Sequence, residues 1–128
     1  MGRFFAVAML ATMLWGCGDK VAVTIGRGPF DQATHKIAEV TDTFVQGDTL
    51  SLVAEKSRPF GVNEYSMQVY METGGSYKLI GHDTKPLGPS ARGLYWAFPV
   101  TELKGPGKYR IELVLSGDVA AKKDFTVR

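Results

Sequence analysis

Few side chains in this sequence have the types and spacing that chemistry needs. The chain holds 2 histidines, His35 and His82, and 1 cysteine, Cys17. His82 and Asp83 are adjacent, as a base and its orienting carboxylate would be, but neighbours on a strand point to opposite faces. No Gly-x-Ser-x-Gly elbow offers a nucleophile. A solvated loop histidine is therefore the expected role of each. Methionine with histidine can hold copper, and Met67 and Met71 are the candidates. They share a face with Tyr65 and Val69, however, which reads as core filling. Gly74-Gly75-Ser76 lacks the lysine of a phosphate-binding loop. Glu64 and Glu72 would lie about 27 Å apart on a regular strand, too far for paired-carboxylate chemistry. The sequence thus predicts no catalytic residue, no metal and no cofactor, and copper carriage is its least supported reading.

Cys17 is the residue with a distinct chemistry. Residues 1–16 carry one charge, Arg3, and residues 4–15 are apolar or small apart from Thr12. Such a run spans roughly 18 Å as a helix. A bilayer core needs about 20 residues, so the run fits the apolar region of a secretory signal. Leu14-Trp15-Gly16-Cys17 resembles the lipobox of bacterial lipoproteins, with an aliphatic residue three before the cysteine and a small residue just before it. Trp15 departs from the small residue usual at its place. The resemblance implies cleavage after Gly16, a diacylglycerol on Cys17 and acylation of the new amine. Two acyl chains already hold a protein stably at a membrane. Gly18 follows the cysteine and Asp19 comes one place later, which by enterobacterial sorting implies the outer membrane, facing the periplasm or the cell surface.

The elements that follow must carry any binding surface. The 128 residues are 45% hydrophobic and 22% charged, with a net charge of +2. That describes one globular domain and excludes a disordered chain, a disulfide framework and a collagen-like repeat. The charge is too small to mark a nucleic-acid binder, and no nucleic-acid partner is expected. Residues 17–35 read as the lipidated cysteine and a flexible tether, broken by Gly18, Gly26, Gly28 and Pro29. Within them, residues 21–25 read either as a short strand or as an apolar patch near the membrane. From Lys36 onward short strands alternate with turns. Tyr65, Met67, Val69 and Met71 alternate with polar neighbours, Leu94, Trp96 and Phe98 share a face, and so do Tyr109, Ile111, Leu113 and Leu115. Residues 36–128 are expected to form an all-β antiparallel sandwich of about seven strands.

Leu103-Lys104-Gly105-Pro106-Gly107-Lys108-Tyr109 resembles the tyrosine corner of immunoglobulin-like and fibronectin type III domains. The resemblance implies that Leu103 and Tyr109 are structural and that the Tyr109 hydroxyl bonds back to the chain entering its strand. A transthyretin-like sandwich also fits the strand count. Two loops are candidates for recognition, since loops on a rigid sandwich are where such domains bind. One holds Arg58, Phe60 and Asn63; the other holds Lys85, Leu87 and Arg92. Their places in the chain leave open whether they share one end. The basic residues Lys104, Lys108, Arg110, Lys122, Lys123 and Arg128 are interrupted by Glu112, Asp118 and Asp124 and read as a solvated face. The expected function is that of a non-enzymatic, lipid-anchored envelope protein that binds a protein partner as an accessory or assembly module. Inhibition of a protease or lytic enzyme through the loops is the alternative.

Overall fold

The computed structural model describes residues 20–34 and 36–128. The signal segment 1–16, Cys17 and His35 lie outside the described residues. Among the described residues the strands are β1 (Ala22–Asp31), β2 (Lys36–Val40), β3 (Thr43–Phe44), β4 (Thr49–Glu55), β5 (Glu64–Thr73), β6 (Ser76–Pro86), β7 (Gly93–Pro99), β8 (Gly107–Leu115) and β9 (Asp118–Val127). A 3-10 turn, Val100–Glu102, follows β7.

Period-two alternation makes these strands one-sided. In β5, Tyr65, Met67 and Val69 are buried while Ser66, Gln68 and Tyr70 are half-buried. In β8, Tyr109, Ile111 and Leu113 are buried. An apolar face of this kind must be covered by a second layer. The strands accordingly form two sheets, β2-β1-β4-β7 and β3-β9-β8-β5-β6. Every pairing is antiparallel except that of β3 with β9. With β1, β4 and β7 read as strands A, B and E, the second sheet reads G-F-C-C′ along β9-β8-β5-β6. That is the immunoglobulin-like arrangement.

The core lies between the sheets. Ile25, Leu50, Leu52, Leu94 and Trp96 come from the first, and Met67, Val69, Ile111, Leu113 and Val127 from the second. At one end Phe125 stacks on Tyr109 with centroids 5.3 Å apart and meets Phe44 edge-on at 5.7 Å. Tyr109 is fully buried. Its hydroxyl donates to the Gly105 carbonyl at 2.5 Å, as the corner motif implies, and Leu103 packs against the core.

One expectation needs correction. The stretch 17–35 is not all tether, because Ala22–Asp31 is a full strand paired with both β2 and β4. The sandwich therefore begins at residue 22 rather than 36. The glycines and proline that read as breakers are features of that strand. A side chain at Gly26 would put its Cβ 2.2 Å from the Glu39 carbonyl oxygen, so only glycine permits β2 to approach so closely. Gly28, at φ +87°, and Pro29 fall where the register shifts between Arg27 and Phe30. A bulge tolerates both positive φ and a missing N–H. The all-β antiparallel sandwich expected from the sequence is observed, with the short β2 and the two-residue β3 at the sheet margins.

Beyond its bulge, β1 crosses the outer side of the first sheet. Phe30 stacks on Tyr95 at 4.6 Å, and the Ser51 hydroxyl donates to the Gly28 carbonyl at 2.6 Å. On the outer face of the second sheet, Arg110 pairs with Asp124 at 2.6 Å and lies over the Tyr77 ring at 4.2 Å. The hydrogen bond from Arg110 holds the Asp124 carboxyl below the usual range.

Burial pushes the Tyr109 phenol above its ordinary 10.0. The neutral phenol thus favours the fold, a contribution complete below the unfolded value and lost as pH rises through the folded one. Tyr109→Phe should cost about 0.5–1.5 kcal/mol at neutral pH, read by denaturant unfolding. It should also remove part of the stability loss that the native chain shows at pH above 10.0. An unchanged unfolding midpoint at neutral pH would mean that the hydroxyl contributes nothing.

Candidate functional site

The two predicted recognition loops lie together at one end of the sandwich. The pairing of Glu55 with Gly93 and of Glu64 with Pro86 brings both connections to that end. They are tied by backbone hydrogen bonds. Lys56 N–H donates to the Arg92 carbonyl at 2.8 Å, Phe60 to Ala91 at 2.8 Å, Gly61 to Pro89 at 2.9 Å and Leu87 to Asn63 at 2.8 Å. Phe60 is corrected as a recognition residue, because it is 6% exposed and belongs to the core. An aromatic ring gains more by burial than by solvation, and the loop turns inward to seat it. Lys56 lies 5.8 Å over that ring. Leu87 is half-buried against the core. Arg58, Asn63, Lys85 and Arg92 are exposed, and Lys85 stands 3.8 Å from Asp83.

A better-defined concavity opens on the flank. β6 and β7 are outermost strands of opposite sheets. Between them lies a cleft of about 340 Å³, lined by residues 80–83 of β6 and residues 96–99 of β7. Consecutive residues line it from both strands, as happens when strand edges rather than faces bound a space. Its apolar floor is the half-buried Leu103 with Met67 and Val69 buried beneath, and Glu102 stands on the turn after β7.

Register decides which side chains face inward. Asp83 is opposite the buried Met67, whereas His82 is opposite Gln68 on the outer face. Adjacency therefore separates the His82 imidazole from the Asp83 carboxylate, as strand geometry requires. The Asp83 carboxylate instead accepts a hydrogen bond from Trp96 Nε1 at 3.2 Å, linking the two sheet margins. Burial, and then the Asp83 charge, push the Tyr65 phenol above its ordinary value. Trp96 and Phe98 lie with ring centroids 5.0 Å apart. The cleft thus combines aromatic and aliphatic side chains with two carboxylates, and among the described residues no lysine or arginine lines it.

Met67 is fully buried in the core, and Met71 packs against it. Among the described residues no three His, Cys, Asp or Glu side chains cluster as metal ligands. Spacing along the chain does not mark Asp83, Trp96 and Glu102 as site residues. One signal was available: Gly93–Pro99 contains no charged residue, although it forms an outermost strand.

No family model matches the sequence, and no curated protein matches it. Among solved structures, the chain is similar to the PmoD soluble domain from Methylocystis sp. ATCC 49242 (Rockwell), at 11% identity and a TM-score of 0.49, covering 86% of this chain and 92% of that one. It is also similar to wild-type OgpA from Akkermansia muciniphila, at 16% identity and a TM-score of 0.44, covering 85% of this chain and 27% of that one.

Phe60→Ala should destabilise the domain by about 3–5 kcal/mol. Arg92→Ala, on the same paired loops, should stay within about 0.5 kcal/mol. Thermal or denaturant unfolding reads both, and equal effects would contradict the inward seating of Phe60.

Proposed function

We propose that this chain is a lipid-anchored protein of the bacterial envelope that binds a protein partner through the flank of its sandwich, as an accessory or assembly module without catalysis of its own. The observation that carries the binding reading is the cleft between β6 and β7. It has strand edges on both sides, an apolar floor and two carboxylates, and a polypeptide matches all three. The anchoring reading rests on Leu14, Gly16 and Cys17, with the outer membrane as the expected location.

The two readings fit each other spatially. Ala22 pairs with Glu55, so β1 starts at the end that carries the loops of Arg58 and Arg92. Residues 17–22 reach at most about 17 Å when extended. A lipid on Cys17 would hold that end near the bilayer and leave the flanking cleft open to partners. Inhibition through the loops is less favoured, because those loops would face the membrane to which the chain is tied.

Two measurements test this. Cys17→Ala should release the protein from the membrane fraction; persistent anchoring would contradict lipidation. A photo-crosslinking residue placed at Glu102 in the intact envelope should yield one discrete protein adduct, and the same residue at Arg92 should yield none. An adduct from Arg92 alone would support the loop-inhibitor reading instead.

A further inference from the structure

Each sheet ends in a strand whose outer peptide groups face away from the ladder, a ready template for another chain. Among the described residues the four such strands are β2, β7, β3 and β6. Three are defended by familiar means. β3 has 2 residues. β2 is short and carries Lys36 and Glu39. β6 carries Lys78, Lys85 and Pro86, and its register shifts beside Gly81. Charge, proline, brevity and bulging all discourage edge pairing.

β7 has none of these inside it. Gly-Leu-Tyr-Trp-Ala-Phe-Pro holds no charge, and its proline is the last residue. All seven of its residues pair with β4 in unbroken register. Its other edge borders the cleft, where the half-buried Phe98 offers apolar surface over the buried Trp96, Met67 and Val69, and Asp83 and Glu102 supply negative charge. An unguarded edge beside a lined cleft is the arrangement that strand addition uses: backbone bonds give affinity, and pockets for alternate side chains give specificity.

We propose that the free edge of β7 takes up an extended segment of the partner protein as an added strand, with apolar side chains at alternate positions and a lysine or arginine directed at Asp83 and Glu102. This rests on the protein-binding reading above and specifies its mode. The cation is expected because both charges lining the cleft are acidic. Asp83 already accepts the Trp96 hydrogen bond, but Lys85, at 3.8 Å with both side chains about half exposed, is a weak ionic partner that leaves the carboxylate open to a second cation.

The test uses the full chain and a synthetic peptide that alternates valine and threonine around one central lysine. Amide hydrogen exchange should show peptide-dependent protection in β7 and none in β2. Replacing the peptide lysine with glutamine should weaken binding about tenfold, as loss of a charge-assisted contact does. In Asp83→Asn with Glu102→Gln the two peptides should bind alike. Glu102→Gln alone lies on an exposed turn, leaves the Trp96 contact intact, and should narrow the difference if the double variant does not fold. Protection of β2 or β6 instead of β7, or equal binding of both peptides to the native chain, would overturn the proposal. So would β7 protection that rises with protein concentration without peptide, which would identify a second copy as the added strand. Loss of β7 protection while the Glu102 adduct persists would refute strand addition but leave the binding reading standing. Loss of both would refute the two together.

Discussion

Hydrophobic burial and backbone hydrogen bonding make different demands on a β-sandwich, and this chain satisfies them unevenly. Burial asks only that inward side chains be covered, and the stack of Phe44, Phe125 and Tyr109 at one end with Met67, Leu52 and Ile111 nearby meets that demand. Hydrogen bonding asks that every peptide group find a partner, which the outermost strands of an open sheet cannot provide from within the fold. The seam between β6 and β7 is where the two demands meet. Apolar side chains approach the surface there, beside backbone that has a neighbour on one side only.

The Asp83–Trp96 hydrogen bond shows how the seam is kept open in a defined shape. It joins the margins of the two sheets without adding a strand between them. Trp96 is buried behind this seam, and the half-buried Phe98 beside it carries the aromatic surface that reaches the cleft. The lipid anchor expected at Cys17 would complement this arrangement, because it would occupy the loop end and leave the flank unobstructed.

Much of this was legible in the sequence, and the unread parts have physical causes. β5 and β8 declare themselves because Tyr65, Met67 and Val69, and Tyr109, Ile111 and Leu113, repeat with period two. The tyrosine corner was legible from Leu103 and Tyr109. β1 was hidden because Gly26, Gly28 and Pro29 break strands in most contexts, and only the approach of Glu39 and the bulge after Arg27 make them fit. Phe60 was misread because nothing local to a loop says whether its ring turns in or out. The cleft could not be read from spacing at all, since residues 80–83 and 96–103 meet only once two sheets have formed.

The central claim is that β7 presents an unpaired edge to the cleft, and amide exchange in the free protein tests it most directly. Successive peptide groups along an antiparallel strand point to alternate sides. The amides of β7 directed at β4 should be protected, and those directed at the cleft should exchange nearly as fast as exposed peptide groups. Uniform protection of β7 from Leu94 to Phe98 would mean that this edge is already occupied, and would contradict the account.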